Sequence, residues 1–122
     1  MDLAEIKAAV ERTRRFTHEI DGRQFNLVTP TQFEADVIME EAQIVARTKR
    51  RIVATALRGW MHLALTDLQV PDAALPGEPL VYSPEMAELL LDARSDWENE
   101  LFTVIGARVQ ERRNFLEGQK GN

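Results

Sequence analysis

The sequence contains no cysteine, only two histidines and no long run of apolar residues. The absence of cysteine excludes disulfide bonds, thiolate nucleophiles and iron–sulfur clusters. No apolar stretch approaches the roughly 20 residues that cross a bilayer, and the first residues lack the basic and apolar segments of a signal peptide. We therefore expect a cytoplasmic protein that does not cross a membrane.

Side chains that carry out catalysis are scarce as well. His18 and His62 lie far apart in the chain, and neither has a partner at metal-ligand spacing. The two serines, Ser83 and Ser95, stand at predicted helix starts, and the six glycines are too scattered to form a phosphate-binding loop. We therefore expect no enzyme activity, no metal site and no cofactor.

Length and charge are those of an ordinary small globular domain. The chain has 122 residues, 44% of them hydrophobic, and this composition suffices to bury a core in a single domain. The formal net charge of −5 argues against a general binder of phosphate backbones.

An alternating pattern near the N-terminus predicts a β-hairpin at about residues 16–28. Two runs of alternating apolar and polar residues flank Asp21-Gly22, a dipeptide that favours a type I′ turn because both positions need positive φ. A two-residue loop predicts three cross-strand pairs: Phe16 with Leu27, His18 with Phe25, and Ile20 with Arg23. Because an isolated hairpin cannot bury its apolar face, we expect helices to cover it.

Helical periodicity dominates the middle of the chain. Thr29-Pro30-Thr31-Gln32 predicts a helix start in which Thr29 is the cap and Gln32 completes a capping box. The pattern in residues 30–67 favours two helices that meet between Arg47 and Arg51, but it also allows one long helix.

The last two helices follow a proline-rich loop. Ser83 and Ser95 are the candidate caps, and the final helix is predicted to end before residues 118–122, which we expect to form a flexible tail. Residues 1–117 are therefore predicted to form a mainly α domain of four to five helices with one N-terminal β-hairpin.

A series of short motifs spans the second half of this domain. In order they are Arg51-Ile52-Val53-Ala54, Gly59-Trp60, Gly77-Glu78-Pro79-Leu80-Val81-Tyr82-Ser83-Pro84-Glu85 and Leu89-Leu90-Leu91-Asp92. Their order resembles that of the tail assembly chaperones of long-tailed (siphovirus-like) bacteriophages and prophages. With the hairpin and the Thr-Pro-Thr helix start, the resemblance extends over roughly residues 14–117.

The resemblance implies a protein-binding function. Such chaperones bind the tape-measure protein and help recruit tail-tube subunits in the cytoplasm of the host bacterium. They are absent from the mature virion, and self-association is an expected property of the class. The side chains that we expect near the partner-binding surface are Trp60, Leu80, Tyr82, Trp97 and Phe102.

Two alternative functions remain open at this point. One is a general helical protein-interaction adaptor without a link to phage tails. The other is a small nucleic-acid-binding regulator that uses the four cations of Arg47-Thr48-Lys49-Arg50-Arg51. Acidic residues on the preceding helix argue against the second alternative, because they can neutralise the basic run.

Overall fold

The computed structural model of the protein describes residues 1–69 and 77–120, and these residues confirm the predicted mainly helical fold. They form five α-helices, one three-stranded antiparallel sheet and a short 3₁₀ turn at Leu65–Leu68. In chain order the helices and strands are α1 (Leu3–Arg12), β1 (Arg15–Ile20), β2 (Arg23–Val28), α2 (Gln32–Ala42), α3 (Val45–Ala56), β3 (Leu57–Met61), α4 (Pro84–Ala93) and α5 (Ser95–Lys120).

The hairpin of β1 and β2 forms in the predicted register. All three predicted pairs are present: Phe16 with Leu27, His18 with Phe25, and Ile20 with Arg23. Asp21 and Gly22 have φ values of 48° and 80°, as a type I′ turn requires. Helix α5 covers the apolar face of the hairpin, and its Trp97 meets Phe25 edge-on with ring centroids 5.9 Å apart.

Residues 30–67 contain two helices, but the break between them lies earlier than predicted. α2 ends at Ala42 and α3 begins at Val45, so the predicted junction between Arg47 and Arg51 is wrong. The physical cause of the break is Gln43, whose left-handed backbone (φ 65°) turns the chain out of the helical path.

The cap of α2 is also displaced from its predicted position. The cap is Thr31 rather than Thr29, and Glu34 rather than Gln32 completes the capping box. The Thr31 hydroxyl accepts a hydrogen bond from the Glu34 N–H at 3.1 Å, and the Glu34 carboxylate accepts one from the Thr31 N–H at 3.0 Å. Thr29 and Pro30 are instead buried residues that lead into the helix.

Residues Leu57–Met61 form strand β3, where the periodicity predicts a helix. β3 lies antiparallel to β2 and places Trp60 opposite Phe25. The three- and four-residue spacing of Val53, Leu57 and Trp60 is compatible with a helix, but the pairing with β2 overrides this local preference. His62, predicted to be helical, follows the strand with a φ of 71°.

The core lies between the sheet and helices α3, α4 and α5. Its most completely buried side chains come from all of these elements: Phe25, Val53, Leu57, Leu90, Leu101 and Ile105. Each such side chain contributes about 1.5–3 kcal/mol relative to an exposed one. Ile105 is the last buried side chain of α5 in the described part of the chain, and the half-buried Val109 still packs against the core. The helix beyond Val109 projects past the core.

The chain end differs from its prediction as well. α5 continues to Lys120, so residues 118–120 are helical where a flexible tail was predicted. Residues 121–122, and residues 70–76 of the predicted proline-rich loop, lie outside the described part of the chain.

Candidate protein-binding surface

Three of the predicted partner-binding residues come together inside the molecule. The indole Nε1 of Trp60 donates a hydrogen bond to the Leu80 carbonyl oxygen at 2.7 Å, and the ring of Tyr82 meets that of Trp60 edge-on with centroids 4.9 Å apart. The Tyr82 hydroxyl donates to the carbonyl oxygen of Leu57 at 3.0 Å. Trp60 and Leu80 are buried and Tyr82 is half-buried, so these contacts hold β3 against the segment before α4.

The other two predicted residues lie on α5. Trp97 is only 2% exposed, and the guanidinium groups of Arg94 and Arg23 lie 3.7 and 5.2 Å from the centroid of its ring. Phe102 is half-buried, and the Lys49 ammonium lies 5.9 Å from its ring centroid. Of the five predicted residues, only Tyr82 and Phe102 therefore retain partial exposure.

Two of the four cations in the basic run at Arg47–Arg51, Arg50 and Arg51, form ion pairs within the described part of the chain. Arg50 forms ion pairs with three carboxylates of α4 and α5, those of Glu88, Asp92 and Glu98. Burial acts to lower the pKa of Arg50, but hydrogen bonds to these carboxylates raise it overall. Arg51 pairs with Glu41 at 2.8 Å, which is the neutralisation by the preceding helix that the sequence suggests.

Helix α1 presents an apolar stripe that the described part of the chain leaves exposed. Leu3, Ile6 and Val10 are 66%, 45% and 49% exposed, and α1 has no buried residue. Asp2 caps the helix by accepting a hydrogen bond from the Glu5 N–H at 2.8 Å. A short helix of this kind gains little stability by itself, so its exposed stripe is available for contacts with a partner.

Three adjacent grooves connect this stripe with the projecting end of α5. The first, of about 400 Å³, lies along α1 and includes Val10 and Arg14. The second, of about 380 Å³, extends from Arg14 to Arg112 and Phe115. The third, of about 150 Å³, lies between Arg112, Leu116 and the residues that precede α2. Because successive grooves share Arg14 and Arg112, they form one continuous surface, which we call the α1–α5 surface.

The α1–α5 surface combines exposed apolar side chains with a positive rim. Phe115 and Leu116 are 62% and 46% exposed. The cations that line the three grooves outnumber the anions: Lys7, Arg14, Arg108, Arg112 and Arg113 against Glu11 and Glu111. This local excess of positive charge contrasts with the net charge of −5 of the whole chain.

Two arginines occupy the junctions between the grooves. Arg14 is held in place by a 2.8 Å hydrogen bond from Nη1 to the Thr29 carbonyl oxygen and by an ion pair with Glu34 at 3.4 Å. Its Nε is buried and has no acceptor among the described residues. Arg112 is half-buried and forms no ion pair with any residue that the structure describes. The Arg112 guanidinium can therefore donate hydrogen bonds to a carboxylate of a partner.

Glu11, at the edge of the first groove, is committed to neighbouring cations. Arg15 donates to its carboxylate at 3.1 Å, and Arg58 lies 3.7 Å from the second oxygen. The hydrogen bond from Arg15 lowers the pKa of Glu11 below its ordinary value, and the positive charges of Arg58, Arg15 and Arg14 lower it further.

The sequence contains the signals for this surface, but they have a more common interpretation. Apolar residues at helical spacing, such as those of α1 and the end of α5, usually face a core. In contrast, tryptophan is a typical interface anchor, so the sequence predicts Trp60 and Trp97 at the partner-binding surface. Only the three-dimensional arrangement shows which of these side chains face the core and which are exposed to a partner.

One more groove, of about 550 Å³, is lined by residues of α1, the hairpin and β3, among them Glu11, Phe16 and Arg58. His18 Nε2 lies 2.8 Å from Glu100 Oε2, and His62 is exposed. Within residues 1–69 and 77–120, no group of three or more histidine, aspartate or glutamate side chains is placed to hold a metal ion. No helix in these ranges is both long and apolar enough to span a bilayer.

Comparison of this chain with protein-family models, curated proteins and solved structures found no match.

Proposed function

We propose that this protein is a phage tail assembly chaperone that binds helical segments of the tape-measure protein and helps recruit tail-tube subunits during tail assembly. The order of sequence motifs supports this proposal. The single structural observation that supports it most is the α1–α5 surface, where exposed apolar side chains stand beside a group of arginines. Trp60 and Trp97 then have structural roles, and binding is assigned to α1 and the end of α5.

The chemistry of the α1–α5 surface describes the segment that it binds. Elongated grooves lined by Val10, Phe115 and Leu116 suit the apolar face of an amphipathic helix. The arginines at the groove junctions suit carboxylates that flank this face. The expected client segment is therefore an α-helix with an apolar stripe and acidic residues on either side of it.

A long client needs only modest affinity at each site. Many copies of the chaperone can bind along one tape-measure chain, and each bound copy covers a further stretch of its apolar surface. Modest affinity also allows release when the tail tube forms around the tape-measure protein.

Co-expression with a tape-measure fragment from the same genome tests the proposal. We expect the fragment to remain in the soluble fraction only when this chain is present, and to co-purify with it. A fragment of similar length and helicity but with a basic polar face serves as the matched control, and we expect it to stay insoluble.

Two results would contradict the proposal. If the tape-measure fragment precipitates regardless and nothing co-purifies, the chaperone function is wrong and a general adaptor becomes the better description. If the chain instead binds DNA or RNA with a steep salt dependence that charge reversal of Arg47–Arg51 abolishes, the nucleic-acid alternative is correct.

A further inference from the structure

Strand β1 is an open edge of the sheet. The strand order is β1-β2-β3, so β2 lies on one side of β1 and no described strand lies on the other. In a two-residue hairpin the residues that flank the turn, Ile20 and Arg23, form a hydrogen-bonded pair. Hydrogen bonding then alternates along β1, so the backbone groups of Arg15, Thr17 and Glu19 point away from β2. Such an edge is a template for a further strand.

The order of charges along β1 is complementary to a second copy of itself. In an antiparallel, two-fold symmetric pairing centred on Thr17, Arg15 of each copy stands opposite Glu19 of the other. In the same register, the outward-pointing backbone groups of Arg15, Thr17 and Glu19 can form hydrogen bonds with those of the second copy. A shift of the centre to Phe16 or His18 keeps the backbone pairing but separates Arg15 from Glu19. With the centre at His18, Arg15 instead stands opposite Asp21 of the turn.

Helix α5 carries a second set of complementary charges in the same register. The Arg108 guanidinium lies 4.7 Å from the Phe16 ring centroid, and the Glu100 carboxylate lies 2.8 Å from His18 Nε2. Pairing centred on Thr17 places Phe16 of one copy beside His18 of the other. Arg108 of each copy therefore comes next to Glu100 of its partner, on the face of the sheet that α5 covers.

We propose that two copies of this chain associate through their β1 edges, centred on Thr17, to form a continuous six-stranded antiparallel sheet. A second copy is the occupant that fits the edge, because the register centred on Thr17 sets Arg15 opposite Glu19 and Arg108 beside Glu100. Arg15, which also pairs with Glu11 of its own chain at 3.1 Å, then bridges the two carboxylates. The association shares one residue, Arg108, with the α1–α5 surface that is assigned to client binding.

Analytical ultracentrifugation of the purified full chain tests this dimer. We expect a concentration-dependent monomer–dimer equilibrium in the unmodified protein. Glu19→Arg places like charges opposite each other twice per dimer and should raise the dimer dissociation constant about tenfold or more. The double variant Arg15→Glu/Glu19→Arg restores opposite charges at both positions and should restore dimerisation.

A matched control and a folding check make the result decisive. Glu40→Arg introduces the same charge change at an exposed site on α2 and should leave the dissociation constant unchanged. Far-UV circular dichroism verifies that each variant is folded. A chain that is monomeric at all concentrations, or a dimer that Glu19→Arg does not weaken, would overturn the proposal. Failure of the double variant to dimerise while folded would contradict the register.

Discussion

The indole Nε1 of Trp60 donates a hydrogen bond to the carbonyl oxygen of Leu80 at 2.7 Å, in a buried position. This contact joins strand β3 to the segment that precedes α4, across 20 residues of sequence. Both residues were expected at a partner surface, yet each is satisfied by the other within the chain. The hydrogen bond gives the Gly59-Trp60 motif and the Leu80 motif a structural role in each other's placement. This role does not require either motif to contact a partner.

Removal of this hydrogen bond should affect stability and leave client binding intact. Trp60→Phe keeps an aromatic ring but leaves the Leu80 carbonyl without its donor, and we expect the free energy of unfolding to fall by about 1–3 kcal/mol. Urea denaturation measures the change. Met61→Ala, at the exposed neighbouring position, is the control and should change stability much less. Loss of tape-measure binding by folded Trp60→Phe would instead place the indole at the interface.

Substitution of Gln43 should stabilise the protein. Gln43 holds a left-handed φ of 65° between α2 and α3, a conformation that glycine adopts at lower cost than any other residue. We expect Gln43→Gly to raise the free energy of unfolding by about 0.5–1 kcal/mol. Gln110→Gly, within α5, should lower it by about 1 kcal/mol, because glycine is unfavourable inside a helix. Destabilisation by Gln43→Gly would argue against the break at this position.

The ion pair between Arg94 and Asp96 should contribute a small, pH-dependent stabilisation. A hydrogen bond from Arg94 lowers the pKa of Asp96 below its ordinary value of 3.8. Because the folded-state pKa is the lower one, the contribution is fully present above the unfolded-state pKa and is lost as the pH falls through the folded-state pKa. Asp96 is largely exposed, so we expect Asp96→Asn to cost only a few tenths of a kcal/mol at neutral pH.

Urea denaturation across the acidic range checks this expectation. The difference between the unmodified protein and Asp96→Asn should shrink as the pH falls below 3.8 and vanish once Asp96 is protonated in both states. Glu40→Gln, an exposed carboxylate on α2, is the control and should show no such difference. A stability difference that grows with acidification would show that the sign of the pKa shift is wrong.

Local chemistry explains which parts of the fold were predictable. The hairpin register follows from the Asp21-Gly22 turn, because two positive φ values and a two-residue loop determine every cross-strand pair. Strand β3 has no such local signal: the apolar spacing of Leu57 and Trp60 fits a helix, and only the edge of β2 selects the strand. The break at Gln43 contains neither glycine nor proline, the residues that ordinarily indicate one.

The candidate site could be predicted only in part. The amphipathic pattern of α1 is evident from sequence, but whether Ile6 and Val10 face a core or solvent depends on where α1 leaves the domain. The same ambiguity holds for Phe115 and Leu116, because the sequence does not show that α5 extends beyond the core. Trp97, in contrast, belongs to the core, because α5 lies across the hairpin and places the Trp97 ring against Phe25.

The most direct test of the account measures how tightly variants of the α1–α5 surface bind a synthetic helical peptide of the tape-measure protein, chosen short enough to be soluble on its own. Isothermal titration calorimetry compares Leu116→Ser with Leu89→Ser, since both leucines are on helices and 46% and 55% exposed. It also compares Arg112→Glu with Arg47→Glu, which is exposed on α3. We expect Leu116→Ser and Arg112→Glu each to weaken binding about tenfold or more, as for interface hot spots, and both controls to bind normally. Equal affinities for all four variants would contradict the assignment of client binding to this surface.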